Sequence, residues 1–231
     1  MKELRIIIFD FGDTLVTLNP SKESIVSEFL SLKSHAVGID GIKKAYRIVD
    51  YCYKQSALSL KESKAKRDFL LKINRELFKI IGLSKHEDEW AEELFILFSQ
   101  KKKWELFSDT IPALDKIKNL GYEMAVLANW NRDLSSLIVE CGVSKYFSCI
   151  LSSEELSIEK PDPEIFLYIM KHLSLKPENA MYVGNDYELD VISARSAGIE
   201  PVLIDRSNCY PNADCLRLES LTGLSEYLKK V

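Results

Sequence analysis

The pattern of apolar and polar positions changes character along the chain. Residues 6–9 form a continuous apolar run without helical periodicity, which is typical of a strand buried on both faces. From about residue 17 to 103, apolar residues recur at helical spacing with no strand pattern between them. From Asp109 onward, short apolar runs alternate with helical patterns. The chain is therefore predicted to be an α/β fold interrupted by a helical insertion.

The alternating region predicts the remaining strands of one sheet. Apolar runs at residues 124–128, 149–151, 180–183 and 201–204 are each separated by a helical pattern and short loops. Such strand–helix–strand units favour a doubly wound parallel sheet with helices on both faces. We predict that residues 1–16 and 104–231 form this α/β core domain and that residues 17–103 form an inserted α-helical domain.

The inserted segment is predicted to be a bundle of four amphipathic helices. Asn19 is placed as the N-cap of the first helix, with Pro20 at its first position. Four stripes at helical spacing define the buried faces: Ile25, Phe29 and Leu32; Ile42, Tyr46, Val49 and Tyr53; Phe69, Ile73, Leu77 and Ile80; and Trp90, Leu94 and Leu97.

Composition excludes several classes of protein. The 231 residues are 46% hydrophobic and 29% charged, with a formal net charge of -4, so an extended phosphate-binding surface for nucleic acid is not expected. No apolar run reaches membrane-spanning length and the N-terminus leads directly into the first strand, so we expect a cytoplasmic protein, a monomer or a homodimer. The five cysteines form no Cys-x-x-Cys pair, which argues against a disulfide framework or a zinc site: Cys52, Cys141, Cys149, Cys209 and Cys215.

Polar residues follow three of the predicted strands. Asp10 and Thr14 follow the first, Asn129 follows the second, and the 184–190 loop follows a later one, while Lys160 precedes a helix start. The carboxyl ends of parallel strands meet at one edge of a sheet, so these groups are expected to converge. A carboxylate nucleophile, oxygen ligands for Mg²⁺, a lysine and a hydroxyl together suit phosphoryl transfer.

Four ordered segments carry a family resemblance. Asp-Phe-Gly-Asp-Thr-Leu at 10–15, Ala-Asn at 128–129, Lys-Pro-Asp-Pro at 160–163 and Gly-Asn-Asp at 184–186 with Asp190 resemble the motifs of the haloacid dehalogenase-like hydrolase superfamily. The resemblance spans essentially the whole chain and implies a Rossmann-like core with a helical cap.

The resemblance also implies roles for individual residues. Asp10 would be the nucleophile that forms an aspartyl-phosphate, and Thr14, Asn129 and Lys160 would contact the phosphate. The magnesium ligands would be the Asp10 carboxylate, the Gly12 carbonyl and the side chain of Asn185 or Asp186. Asp190 would bind a metal-bound water or hold Lys160.

The chain departs from the family pattern in three places. Gly12 stands where the family's phosphatases keep a general acid/base, a group whose loss typically lowers the rate by about 10²- to 10⁴-fold. Asp13, one position along, is a candidate replacement and otherwise a turn residue. Ala128 replaces a hydroxyl-bearing residue, and Asn185 replaces the first acid of the last motif. If the acid is missing, aryl phosphates should be hydrolysed faster than alkyl phosphates, and Gly12→Asp should narrow that difference.

These features leave several functions open. The first is a magnesium-dependent phosphatase of a small phosphorylated metabolite. The second is a metal-independent 2-haloacid dehalogenase, whose leaving halide needs no proton. A phosphonate hydrolase would need a buried lysine in the insertion, and a catalytically degenerate phosphate-binding protein would explain the departures. The candidates for that lysine are Lys43, Lys44, Lys54 and Lys61; His35, His86, Tyr46, Tyr51 and Tyr53 are candidate substrate contacts or packing residues.

Overall fold

The computed structural model describes residues 3–57, 63–101 and 103–230, with their side chains except at residues 50–57, 63–66, 99 and 101. The chain divides into two compact units, Met1–Thr17 with Trp104–Val231 and Leu18–Lys103. The predicted boundaries, after residues 16 and 103, lie within one residue of this division. We call the first the α/β unit and the second the helical unit.

Within the described residues, eight strands form two sheets. Six of them make a parallel sheet in the order β5-β4-β1-β6-β7-β8, and β2 pairs with β3 in a separate two-stranded sheet. The predicted doubly wound parallel sheet is confirmed, and all five predicted strands are present. The sequence did not predict β2, β3 or β8, because each is short and mostly half-buried or exposed and so gives no continuous apolar run. The strands are β1 (Ile6–Phe9), β2 (Val16–Asn19), β3 (Lys103–Leu106), β4 (Glu123–Ala128), β5 (Cys149–Ser152), β6 (Ala180–Gly184), β7 (Glu200–Ile204) and β8 (Leu216–Leu218).

Helices connect the strands and make up the helical unit. A π-helical segment, Tyr187–Ile192, occupies much of the region that the sequence assigned to a polar loop. The α-helices are α1 (Lys22–Leu32), α2 (Ile39–Ala57), α3 (Ser63–Ile80), α4 (Glu87–Lys101), α5 (Thr110–Asn119), α6 (Leu134–Glu140), α7 (Ser153–Leu156), α8 (Glu164–His172), α9 (Ser193–Ser196) and α10 (Leu221–Leu228).

Strand β1 is apolar at every position because it is covered on both faces. Ile7 and Phe9 belong to one buried cluster, and Ile6 and Ile8 belong to another, as expected when successive side chains point to opposite faces. All four side chains are fully buried. The continuous apolar run therefore follows from the central position of β1 in the sheet.

The helical unit has its own buried core. Ile25, Phe29, Val49 and Trp90 are among its members. The predicted burial is wrong at two positions of the helical stripes. Leu32 is 78% exposed at the end of α1, and Ile80 is 39% exposed at the end of α3. Side chains in the last turn of a helix can point past the edge of the core. The candidate residues Tyr51, Tyr53, Lys54 and Lys61 lie outside the described side chains.

The start of the helical unit also differs from the sequence prediction. The N-cap of α1 is Ser21, not Asn19, and its side-chain oxygen accepts from the Ser24 amide at 3.2 Å. The helix therefore begins at Lys22, after the proline.

Two sequence-based exclusions concern membranes and cysteines. Within the described ranges, no helix combines the length and apolarity needed to cross a bilayer. Cys141, Cys149, Cys209 and Cys215 are free thiols, and burial raises the pKa of Cys149. Cys52 lies outside the described side chains.

Candidate active site

Asp10 lies just beyond β1, where the sheet changes its direction of winding. The chain adds β4 and then β5 on one side of β1, and β6, β7 and β8 on the other. Open α/β sheets bind ligands in the crevice beyond the strand ends at such a switch point, here between β1 and β6. The Asp10 amide donates to the Val183 carbonyl at 2.9 Å, and the residue is 8% exposed. Its carboxylate is thus held at the predicted crevice.

Lys160 directs its ammonium group at three oxygens beside this crevice. Nζ donates to Asp10 Oδ1 at 2.8 Å, to Asp190 Oδ1 at 2.6 Å and to the Tyr182 hydroxyl at 2.8 Å. The Tyr182 hydroxyl in turn donates to the Leu127 carbonyl at 2.8 Å. An ammonium has three hydrogens, so these contacts use all of them. We call Lys160, Asp10, Asp190 and Tyr182 the lysine cluster.

Sequence reasoning missed Tyr182. The residue is fully buried in β6, and its ring packs edge-on against Phe166 at 4.8 Å between ring centroids. A signal was present, since a tyrosine inside a strand buried on both faces needs a hydrogen-bond partner for its hydroxyl. The sequence cannot identify that partner, because Lys160 comes from a distant loop.

The pKa values in the lysine cluster favour one protonated lysine. Burial would lower the pKa of Lys160, but Asp10 and Asp190 outweigh burial and hold that pKa well above its ordinary value. Burial raises the pKa of Tyr182 well above its ordinary value, so its hydroxyl keeps its proton. Burial also raises the pKa of Asp190 to about 6, against the lowering effect of Lys160. The single Lys160 ammonium group therefore binds two buried carboxyl groups, those of Asp10 and Asp190.

Asn129 binds the backbone of Lys160 through both ends of its amide group. Its Nδ2 donates to the Lys160 carbonyl and its Oδ1 accepts from the Lys160 amide, both at 2.8 Å. Asn129 thus holds the loop that carries Lys160. The amide nitrogen has a second hydrogen, and its predicted contact with phosphate remains a prediction.

The second carboxylate oxygen of Asp10 belongs to a group of three oxygens. Thr14 Oγ1 lies 3.1 Å from Asp10 Oδ2 and 3.2 Å from Asn185 Oδ1. A hydroxyl has one hydrogen, so the two acceptor oxygens share it. A bound cation would satisfy both, and carboxylate, amide and carbonyl oxygens are ligands that Mg²⁺ accepts. Asp10 and Asn185 therefore fit the predicted magnesium site, with the Gly12 carbonyl as its predicted third ligand.

Few charged side chains are available to bind a metal ion at this site. Across the described residues, no group of three His, Cys, Asp or Glu side chains is placed to hold a metal ion. Asp186 Oδ1 accepts from the amides of Glu188 and Leu189 and so caps the π-helical segment. Of the two ligands that the sequence left open, Asn185 is the one that lies beside Thr14 and Asp10. The role of Asp186 as a ligand remains a prediction.

Asp190 uses both of its oxygens inside the protein. Oδ1 binds Lys160, and Oδ2 accepts from the Asp186 amide at 2.9 Å. Asp190 is 2% exposed. A Cβ added to Gly184 would lie 2.3 Å from Asp190 Cγ, so only glycine lets Asp190 approach the end of β6 this closely. This geometry favours the predicted role of Asp190 in holding Lys160 over a role as metal ligand.

Asp13 occupies a tight turn. Its φ is 56°, in the left-handed region that Asp, Asn and Gly adopt most readily, and its amide donates to the Val16 carbonyl at 2.7 Å. The side chain is exposed. Turn geometry is therefore sufficient to account for Asp13, and its predicted part in proton transfer remains a prediction.

Contacts of Arg206 and Thr110, which the sequence did not predict, hold the turn that carries Thr14. Arg206 Nη2 donates to the Thr14 carbonyl at 3.2 Å, and its guanidinium binds Asp109 through two contacts of 3.0 Å. The Thr110 hydroxyl donates to the Leu15 carbonyl at 2.7 Å. Isolated arginine and aspartate residues carry no sequence signal for this role. These contacts hold the backbone in the position that brings Thr14 next to Asp10.

Comparison with known proteins identifies the family. The model of the haloacid dehalogenase-like hydrolases matches residues 4–198. This chain belongs to that family. It is thus a hydrolase, and the matched range includes Asp10, Lys160 and Asp190.

Family members of different activity resemble this hydrolase. Haloacid dehalogenase-like hydrolase domain-containing protein 3 of Xenopus laevis is 27% identical over 210 residues, which cover 87% of this chain and 84% of that protein. A phosphoserine phosphatase of Thermus thermophilus is 30% identical over 139 residues, or 60% of this chain and 55% of that protein. The structure of a 2-haloacid dehalogenase from Pseudomonas syringae pv. Tomato aligns over 98% of this chain and 99% of that chain, with a TM-score of 0.60 and 22% identity.

The candidate residues of the helical unit do not form a distinctive site within the described part of that unit. Lys43 and Lys44 are exposed, so neither is the buried lysine that a phosphonate hydrolase would need. Tyr46 is 6% exposed in the core of the unit, and His86 stacks on Trp90 at 4.3 Å between ring centroids. Packing accounts for these two aromatic side chains.

Proposed function

We propose that this hydrolase is a magnesium-dependent phosphatase of a small phosphorylated metabolite and that Asp10 takes the phosphoryl group. The observation that supports this most directly is the arrangement around the Asp10 carboxylate. One oxygen is held by Lys160, and the other shares the single Thr14 hydrogen with Asn185. The second part of the arrangement suits a cation, which dehalogenation does not require. Phosphatase-named relatives such as that of T. thermophilus agree with the proposal.

The chain's own residues account for the chemistry as follows. An Asp10 oxygen attacks phosphorus, the bond from phosphorus to the leaving oxygen breaks, and that oxygen departs with the electron pair. Lys160 keeps two anchors, Asp190 and Tyr182, while its third hydrogen can pass from Asp10 to a phosphoryl oxygen. The departing oxygen takes a proton from solvent. Water then attacks phosphorus, the bond from phosphorus to the Asp10 oxygen breaks, and a proton of the water passes to solvent, which releases phosphate and restores Asp10. Mg²⁺ held by Asp10, Asn185 and the Gly12 carbonyl would offset the charge of the phosphate.

The proposal is tested by phosphate release from a panel of phosphorylated metabolites, with Mg²⁺ and after exhaustive chelation. We expect release that depends on Mg²⁺ and is absent in Asp10→Asn, which removes the nucleophile with little change of shape. Asp115→Asn is the matched control, because Asp115 is a carboxylate bonded to the Tyr146 hydroxyl away from the crevice. Full activity after chelation would exclude the proposed mechanism.

One observation favours a second candidate, the 2-haloacid dehalogenase. Gly12 offers no acid, and a halide leaves without a proton. The same panel should therefore include 2-haloacids, with halide release as the readout. Halide release that is insensitive to chelation and lost in Asp10→Asn would assign the dehalogenase. A beryllofluoride adduct on Asp10 without turnover of any compound would instead indicate the phosphate-binding protein.

A further inference from the structure

The space next to Gly12 is filled by two tryptophans. A Cβ added to Gly12 would lie 3.1 Å from Trp130 Cζ3 and 3.9 Å from Trp104 Cη2. The first distance is shorter than ordinary van der Waals contact between carbon atoms, so even one carbon atom there would press on the Trp130 ring. The indole therefore occupies the direction in which any side chain at position 12 would begin.

Trp130 is held in this place from two sides. Its carbonyl accepts from the Ser153 hydroxyl at 3.3 Å and from the Glu154 amide at 3.2 Å. Its ring packs edge-on against Phe11 at 5.5 Å and against Trp104 at 4.9 Å between ring centroids. Phe11 is fully buried and directly follows Asp10, so the aromatic group is packed against the same turn that presents the nucleophile.

We propose that Trp130 is a specificity-determining residue that selects phosphate esters with an aromatic leaving group. This inference rests on the proposed phosphatase function. Trp104 and Trp130 are only partly buried, so together they offer an apolar, aromatic surface beside Gly12. A planar aromatic group can pack on such a surface with offset or edge-to-face geometry, which corresponds to about threefold to tenfold in affinity.

The same surface matches the chemistry of the bond that breaks. When Asp10 attacks phosphorus, the leaving oxygen keeps the electron pair of its bond to phosphorus. A phenolic oxygen is stable in that form, because the pKa of a phenol such as tyrosine is about 10. An alkyl alcohol resembles water, whose pKa is about 15.7, and needs a proton as it leaves. A site with indole in place of an acid therefore selects the aromatic ester in both binding and chemistry.

The experiment compares phenyl phosphate with ethyl phosphate in a mutant cycle. The proteins are the wild type, Trp130→Ala, Gly12→Asp and the double variant, all assayed with Mg²⁺. We expect Trp130→Ala to raise KM for phenyl phosphate about threefold to tenfold and to leave KM for ethyl phosphate nearly unchanged. The structure changes the sequence-based expectation that Gly12→Asp narrows the difference between aryl and alkyl esters. Gly12→Asp alone should slow both reactions, because the new side chain displaces Trp130 and the adjoining turn. In the double variant the Asp gains room, and ethyl phosphate hydrolysis should rise at least about tenfold above Trp130→Ala.

Two further variants separate specificity from folding. Trp130→Phe keeps an aromatic ring and should retain most of the preference for phenyl phosphate, even if Trp130→Ala does not fold. Phe147→Leu removes another partly buried aromatic ring from the same core and should leave the ratio of the two kcat/KM values unchanged. The inference would be overturned if the wild type showed no preference for phenyl phosphate, or if Phe147→Leu lowered that preference as much as Trp130→Ala does.

The proposed function and this inference fail in different ways. A wild type that hydrolyses no phosphate ester with Mg²⁺ and takes up no beryllofluoride on Asp10 would overturn both. A wild type that is an active phosphatase, but whose ratio of phenyl to ethyl phosphate hydrolysis does not respond to Trp130, would overturn only the role of Trp130. A rise in ethyl phosphate hydrolysis in Gly12→Asp alone would also overturn it, because the indole would then not exclude a side chain.

Discussion

The lysine cluster and the aromatic residues beside Gly12 differ sharply in chemistry, although both adjoin Asp10. In the lysine cluster every hydrogen of the Lys160 ammonium has an oxygen partner. Next to Gly12, by contrast, the Trp130 ring lies 3.1 Å from the position that a Cβ would take, and Trp104 lies 3.9 Å from it. The comparison teaches that the groups expected to hold the nucleophile and the phosphate are retained, whereas the place of the leaving-group acid is apolar. Four substitutions test this contrast.

The largest effect is expected from Lys160→Met. Removing the cation that contacts the buried carboxyl groups of both Asp10 and Asp190 should cost about 3–5 kcal/mol of folding stability and abolish detectable turnover. Urea unfolding and phosphate release measure the two effects. Lys229→Met, which breaks an exposed ion pair with Glu226, is the control and should change neither. Retained turnover in Lys160→Met would contradict the role assigned to the lysine cluster.

Gly184→Ala should lower the rate about 10²-fold without removing any functional group. The added Cβ would overlap Asp190, which must move and take Lys160 with it; a misplacement of about 1 Å can have an effect of that size. The comparison variant is Gly223→Ala in α10, where the nearest atom is Leu218 Cδ2 at 3.4 Å. That change should leave activity intact and raise stability by up to about 1 kcal/mol. Equal activity of the two variants would show that Asp190 does not position Lys160.

Tyr182→Phe should have a moderate effect that appears in kcat rather than KM. The change removes one oxygen, leaves a Lys160 hydrogen and the Leu127 carbonyl without this partner, and should cost about 1–3 kcal/mol in stability. We expect kcat to fall about tenfold, because Lys160 loses one of its two fixed anchors during phosphoryl transfer. Tyr146→Phe also removes a hydroxyl contact, to Asp115, and should leave kcat unchanged. Similar kcat values in both variants would make Tyr182 a packing residue only.

The smallest effect is expected from Asp13→Gly. The left-handed conformation of residue 13 suits glycine at least as well as aspartate, so the turn should be preserved. Because the side chain is exposed, we expect no loss on ethyl phosphate that approaches the ~10²-fold effect of removing a general acid. A loss of that size on ethyl phosphate, with phenyl phosphate spared, would instead assign the proton transfer to Asp13.

Much of the fold could be predicted because it follows from local patterns. The apolar run of β1 and the alternation after Asp109 predicted the parallel sheet, and the strand ends located Asp10 and Asn129. Strand β8 was missed because it is short and half-buried, and the N-cap was assigned to Asn19 instead of Ser21 because both residues are good caps. The sequence also predicted Lys160 in the site, since it precedes a helix start in a recognisable motif.

The partners of these residues could not be predicted in the same way. Tyr182, Arg206 and Trp130 lie far from Asp10 in the chain, and each resembles an ordinary buried or surface residue in the sequence. The sequence did not predict that the Asn129 amide group binds the Lys160 backbone. Such pairings depend on which loops meet beyond the strand ends, and periodicity contains no information on that.

The sequence by itself determined the class of fold, the order of the motifs and the absence of an acid at position 12. Those properties depend on residue identity and on local spacing along the chain. Only the tertiary structure decided that Lys160 is shared by Asp10, Asp190 and Tyr182, that the Thr14 hydroxyl contacts Asn185, and that Trp130 packs next to Gly12. These outcomes arise from close packing between segments that are distant in sequence, where steric fit and hydrogen-bond partners are set by the fold as a whole.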